Sequence, residues 1–312
     1  RLFALNLRTG DVTVVDTGIT DAFAGSLINA TVDTDRWNGM SGGFYRDDAL
    51  YFGYTKKAND GTWTDGGVLR ITTKESGPTS WEVSHLLQNT GPVTAAITKV
   101  QDRKKGREAL WLYFGGGRYF YKTDVSTDDP VNRRKLFGMK EPCYEASTND
   151  LNQSCSSEVS GMQNQTSSPS DTLPASAGGW YIELDGESAD GIYKAERILT
   201  DPLAAFNGAV FFVSVSPSAD VCGFGGQTYL WVVRYDTGGR PPSDALQGSA
   251  LVQVSTGSIE QIKLAEAIIN DAAHKEGRRT APGTFGVPPR GPGLTVVVNP
   301  RPLNRVLHIQ EK

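Results

Sequence analysis

Apolar residues fall in short runs along most of the chain, each closed by a turn rich in glycine, asparagine or aspartate. "LFALNLRTGDVTVVDTG" (2–18) predicts two strands about a turn at Thr9 and Gly10. "ALYFGYTK" (49–56) and "GGVLRITTK" (66–74) predict a second pair, joined by the polar "KANDGTWTDG". Further runs follow: "PVTAAITKVQ", "ALWLYFGGGRYFYKTD", "GGWYIELD", "AERILTDPL", "GAVFFVSVSP" and "TYLWVVRYDTGG". They are rich in Val, Ile, Tyr, Phe and Trp, the residues that fit a pleated and half-buried surface. One stretch reads differently. In "SIEQIKLAEAIINDAAH" (258–274), Ile259, Ile262, Leu264, Ala265, Ile268 and Ile269 recur at helical spacing behind Ser258, a capping residue. This predicts a helix over 258–274.

Two strand-turn units resemble each other. "LFALNLRTGD" and "YLWVVRYDTGG" both run from an apolar-aromatic strand into a Thr-Gly turn, the kind of unit that propeller blades repeat. The fold class expected is therefore all-β, a β-propeller. Composition agrees: 35 Gly and 16 Pro in 312 residues suit a protein of many turns. Residues 143–178 are rich in Ser, Thr, Asn, Gln and Pro and are expected to form a long polar surface loop or insertion. Residues 276–292 form a second irregular stretch, rich in Gly and Pro, whose Arg278, Arg279 and Arg290 are expected in a solvated loop.

Net charge, −4, provides no global field for nucleic acid or an acidic membrane surface. No apolar run reaches the ~20 residues of a membrane span. Three cysteines are present. Cys143 and Cys155 bracket the polar "CYEASTNDLNQSC", which reads as a disulfide formed in an oxidising compartment, the alternative being two free thiols. Cys222 is left over. No CxxC spacing supports zinc.

Gly115, Gly116 and Gly117 stand before Arg118, a combination that raises a phosphate loop. Such a loop needs a helix after it, and "RYFYKTD" alternates like a strand. The glycines therefore read as a bulge or a close backbone approach. His85, His274 and His308 have no GxSxG partner, and no carboxylate pair stands out as acid and base. The chain is expected not to be an enzyme.

"TVDTDRWNG" (31–39) is the strongest chemical candidate. Asp33, Asp35 and Asn38 bring oxygen ligands together, Gly39 lets the chain turn, and Asp47 and Asp48 precede the strand "ALYFGYT". Calcium takes six to eight oxygens from loops of this type, although Trp37 stands where a third acid would be. Read from spacing alone, the segment is either a calcium loop or an acidic surface turn.

"GPVTAAITKVQ", "LWLYFGGGRYFYKTD", "GGWYIELD", "ERILTDPL", "GAVFFVSVSPSADVCGFGGQTYLWVVRYDTGG" and the terminal "PRPLNRVLHIQEK" together resemble the PilY family, the type IV pilus biogenesis and tip-adhesin proteins. The likeness spans nearly the whole chain and is strongest across 91–124 and 178–258. It implies that residues 1–312 are a C-terminal β-propeller region similar to quinoprotein-dehydrogenase propellers. The implied role is non-enzymatic: pilus assembly, control of extension and retraction, and attachment at the pilus tip on the cell surface, reached through the periplasm. The implied partners are minor pilins or other pilus-tip proteins, and a host or surface ligand. The family's calcium loop reads D-x-[DN]-x-D-G-x-x-D before an aromatic-Gly strand. Asp33 and Asp35 match its first two positions and Asp48 its last, Asn38 stands in for the missing acid, and residues 37–46 look inserted. The chain starts at Arg1 and enters a strand-like run at once, so a processed or truncated chain is expected, with further blades and a von Willebrand factor type A-like domain upstream. Cys222 would then face a cysteine in that upstream part. The competing readings are a quinoprotein-like dehydrogenase and a structural subunit of another extracellular surface complex.

Overall fold

The computed structural model describes residues 1–35, 46–118, 133–205, 207–220, 225–253, 259–282 and 294–298. Over these residues the chain is all-β, apart from one helical turn and two short 3-10 turns. An N-terminal hairpin pairs Leu2–Leu5 with Val12–Val15. Four larger sheets follow, and no sheet closes on itself among the described residues. In the first, Ala22–Ala24 and Thr31–Val32 both pair with Ala49–Lys56, which pairs with Asp65–Thr72 and through it with Glu82–Gln88. The second runs Thr98–Asp102, Ala109–Gly115, Lys135–Lys140, Gly179–Glu183 and Met162–Asn164, the last pair parallel. The third is built on the long pair Ala209–Pro217 and Gly226–Arg234, with Arg197–Ile198 and Leu203–Ala205 on the outer edge of the first of these. The fourth places Gly248–Gln253 between Ile259–Lys263 and Leu294–Val298.

The core is shared between consecutive sheets. Tyr51, Val68 and Leu86 of the first sheet meet Leu110, Leu112, Phe114 and Met139 of the second in one buried cluster. Trp111, Tyr113, Trp180 and Ile182 on the other face of the second sheet meet Val210, Phe212 and Trp231 of the third. Phe211, Val213 and Val232 then meet Ala250, Val252 and Leu294. Adjacent residues of one strand thus enter different clusters. This explains why these runs are almost continuously apolar: strands covered on both faces lose the polar half of the alternation. Trp180 and Trp231 are fully buried. Each removes roughly 150–250 Å² from water, about 4–6 kcal/mol before ordering costs are subtracted.

The tetrapeptide Leu-Tyr-Phe-Gly occurs twice, at 50–53 and 112–115, and its glycine serves the same purpose both times. A Cβ on Gly53 would lie 2.5 Å from Val93 O and 2.6 Å from Val93 Cβ, and one on Gly115 would overlap Ile198. Each glycine therefore lets the segment leading into the next sheet lie directly on the strand. The glycine triplet uses its amides within the protein. Gly116 N donates to Lys135 O at 2.8 Å, and Gly117 N donates to Pro92 O at 2.7 Å.

The helix expected over 258–274 does not form. Ile259–Lys263 is a strand, and only Leu264–Ala267 makes a helical turn. Ala250 lies opposite Ile262, which packs on the cluster below the fourth sheet, while Ile259 and Ile269 are exposed. The apolar spacing fitted both periods at the start of the segment, and the open edge of the 248–253 strand decided between them.

Arg278 and Arg279 also depart from expectation, because neither is solvated. Their backbone lines the free edge of the third sheet: Val232 N donates to Arg278 O at 2.8 Å and Thr280 N to Leu230 O at 2.9 Å. Arg278 is fully buried and donates to four carbonyls, those of Gln165, Gly238, Thr166 and Lys275. Arg279 pairs with Asp185 at 2.7 Å and Glu196 at 2.9 Å over the ring of Tyr229. Arg290 lies outside the described residues. The segment 143–178 is not wholly a surface loop either, since Cys143, Leu151 and Val159 enter the core between the first two sheets.

Candidate metal centre

Thr31–Val32 pairs with the start of Ala49–Lys56, Val32 opposite Ala49. The chain segments that leave this ladder, 33–35 and 46–48, therefore emerge at the same end of the first sheet. Asp48 N donates to Val32 O at 2.7 Å and Asp48 O accepts from Thr73 N at 2.8 Å, which fixes the backbone on both sides. The result brings Asp33, Asp35 and Asp48 together, each with a carboxylate oxygen within 4.8 Å of the others. Asp35 and Asp48 are buried, and Asp33 is half-buried.

Thr34 sits inside this group. Its amide and its hydroxyl both lie 2.6 Å from Asp48 Oδ2. The other oxygen, Asp48 Oδ1, is buried without a hydrogen-bond donor. A buried carboxylate oxygen with no donor is costly unless a cation or a proton satisfies it. Burial accordingly pushes the Asp48 carboxyl up to about 7, with the charges of Asp150 and Asp35 adding to the effect against the bonds from Thr34. Burial, then the charge of Asp150, also raises Asp35.

The donor set is all oxygen, with no His or Cys in the group. Hard oxygen donors suit calcium or magnesium rather than zinc or copper. Calcium tolerates an irregular shell of six to eight oxygens, so three clustered carboxylates fit part of such a shell. Three of the sequence-predicted ligands, Asp33, Asp35 and Asp48, are thus brought together. Asn38, with Trp37 and Gly39, lies outside the described residues, and Asp47 is exposed next to the group.

Asp150 is the residue that sequence reasoning missed. It belongs to the small hairpin of Tyr144–Glu145 and Asp150–Leu151, and its Oδ1 lies 3.0 Å from Thr34 Oγ1 across 116 positions of chain. No local pattern points to a contact of that range. The hairpin lies within a loop closed by a disulfide between Cys143 and Cys155, whose Cα atoms are 5.5 Å apart. Cys222 lies outside the described residues.

The remaining candidates stand apart from this centre. His85 lies in the Glu82–Gln88 strand, edge-on to Tyr54 with ring centroids 6.2 Å apart. His274 Nδ1 is 2.7 Å from Asp271 Oδ1 in its own turn. His308 lies outside the described residues. A cavity of about 980 Å³ opens beside the second and third sheets, with Ile97, Val100, Leu203 and Tyr235 in its walls. Lys99 also lines it and donates to the carbonyls of Asn29 and Ile97, and burial lowers its ammonium to about 8. Among the described residues, no helix is long and apolar enough to cross a membrane. No family model, curated protein or solved structure matches this chain.

Proposed function

We propose that this chain is a non-enzymatic, calcium-modulated component of a type IV pilus tip, built as a propeller-like stack of sheets and acting in pilus assembly and surface attachment. The observation that carries the calcium part is the buried, donorless Asp48 Oδ1 beside Asp33 and Asp35. These are the three acids that the resemblance to the PilY family assigns to its calcium loop, and Asp48 stands three residues before Tyr51-Phe52-Gly53. Four sheets whose cores are shared in chain order support the propeller-like reading. Calcium bound here would tie the two segments that leave the first sheet to each other. It would stiffen a surface end of the stack, where a pilin or a surface ligand could dock.

The test is thermal unfolding of the chain with calcium chloride and with chelator, repeated for the Asp33→Ala/Asp35→Ala variant. A ligand at ~100 times its Kd stabilises by about 2.7 kcal/mol. For a chain of 312 residues that is a rise of roughly 4 °C. The rise should vanish in the variant. An unchanged melting point in the parent chain would remove the calcium reading.

The cavity beside Lys99 favours a second reading, a quinoprotein-like or other ligand-binding module, because it is large and mainly apolar. It predicts a quinone absorbance in the purified protein, or one that develops on adding quinone and calcium. Co-purification with minor pilins and no quinone signal would favour the adhesin reading.

A further inference from the structure

We propose that the loop closed by the Cys143–Cys155 disulfide is the second wall of the metal site, supplying Asp150 as a fourth carboxylate, so that cation binding and the disulfide reinforce each other. The inference rests on the metal-site reading above. It adds a ligand from a distant part of the chain and a redox dependence that the local loop does not imply.

The hydroxyl of Thr34 is the starting point. It lies 2.6 Å from Asp48 Oδ2 and 3.0 Å from Asp150 Oδ1, and it accepts from Leu151 N at 3.1 Å. A threonine hydroxyl carries one proton, so it serves only one of the two carboxylates at a time. Asp48 Oδ1 has no donor at all. Asp150 Oδ1 also accepts from Leu151 N at 2.6 Å, so Asp48 Oδ1 is the acceptor left unmet, and the half-buried Asp150 adds negative charge beside it from the other wall. A divalent cation held by Asp33, Asp35 and Asp48, with Asp150 drawn in as the fourth carboxylate, satisfies Asp48 Oδ1 and removes the repulsion.

The loop is held so that Asp150 can reach. Leu151 and Cys143 are buried in the core between the first two sheets. Cys143 N donates to Glu141 Oε1 at 2.9 Å, and the fully buried Glu141 pairs with Arg70 of the first sheet. Asn152 N donates to Cys143 O at 2.9 Å, and Cys155 N to Asn152 O at 3.1 Å. Gln101 Nε2 lies 2.9 Å from Thr34 O and 3.0 Å from Asn149 O, linking the two walls. Lys74 N donates to Gln153 Oε1 at 2.8 Å from the first sheet. The bond closes a loop over a separation of 12 residues. Closing it removes much of the freedom that an open loop would lose when Asp150 is brought against other acids. Linkage then requires the reverse effect: a bound cation must favour the closed disulfide by the same factor.

The experiment is calorimetric titration of the chain with calcium chloride, as the parent, as Asp150→Asn, as Cys143→Ser/Cys155→Ser and as the triple variant. A dithiothreitol reduction time course with and without calcium accompanies it. Asp150→Asn should raise the Kd about tenfold. The serine pair should raise it in the same direction, and the triple variant should bind no more weakly than Asp150→Asn. Calcium should slow thiol release in the parent and leave it unchanged in Asp150→Asn, which keeps the side-chain shape and so remains informative if the serine pair folds poorly. Calcium binding that is equally tight in parent and Asp150→Asn would overturn the inference and leave the metal-site reading standing. Weaker binding in Asp150→Asn with no effect of calcium on reduction would overturn the coupling. A parent chain that binds no calcium would overturn the metal-site reading and this inference with it.

Discussion

Gly115→Ala tests the sheet-to-sheet contact that organises the fold. The new methyl would lie 2.5 Å from Ile198 Cβ and 2.9 Å from Ile198 Cγ2, and closer still to Cγ1. Ile198 is fully buried in the cluster shared by the second and third sheets. As a β-branched residue it has few rotamers into which to withdraw. Over-packing of this kind costs about 1–3 kcal/mol, and a site closed on both sides belongs at the upper end. Ile198→Ala alone should cost about 2–5 kcal/mol through the cavity it leaves. The two changes are complementary, because the alanine methyl at 115 enters the space that the isoleucine vacates. The double variant should therefore be no less stable than Ile198→Ala alone, with a favourable coupling of about 1–3 kcal/mol. Urea unfolding followed by tryptophan fluorescence reads this cluster directly, since Trp111, Trp180 and Trp231 all belong to it. A double variant whose loss equals the sum of the singles within about 0.5 kcal/mol would refute the packing argument. So would a neutral Gly115→Ala.

Three other outcomes follow from the same geometry. Asp48 has its carboxyl raised to about 7 by burial, so in chelator its contribution to stability is fully present below its ordinary value near 3.8 and is lost as pH rises through about 7. Melting temperatures from pH 4 to 8 in chelator should fall at this group's expense, Asp48→Asn should flatten that part of the profile, and a parent profile that rises across the window would contradict the assignment. Arg70 and Glu141 form an ion pair with both side chains fully buried, so Glu141→Gln should destabilise by about 3–5 kcal/mol, and the Arg70→Met/Glu141→Leu pair should lose less; the comparison is a denaturant series. Arg278→Ala leaves four carbonyls without their donor and should cost about 3 kcal/mol or more, with Arg278→Lys recovering little because an ammonium cannot reproduce the guanidinium fork; full recovery by lysine in thermal unfolding would refute the assigned bonds.

Much of this protein is legible in its chain. Strand runs such as 49–56, 209–217 and 226–234 show as mostly apolar stretches, because covering both faces of a strand reduces the need for polar alternation. The close-approach role of Gly115 follows from its place in an apolar run with no helix after it. Asp33, Asp35 and Asp48 could be selected by their spacing and their match to a family calcium loop, and the pairing of Thr31–Val32 with Ala49–Lys56 brings them together. What the chain does not carry locally is decided by long-range pairing. Residues 259–263 became a strand because the 248–253 strand offered an open edge, and their spacing suited helix and strand alike. Arg278 and Arg279 are buried because a sheet edge and two acids lie where the loop lands, which basic, Gly-rich composition does not foretell. Asp150 meets Thr34 across 116 residues, through the docking of a disulfide-closed hairpin between two sheets. Periodicity and composition act over a few residues and so determine the elements and one wall of the site. The second wall depends on which sheet packs against which, and only the tertiary structure decides that.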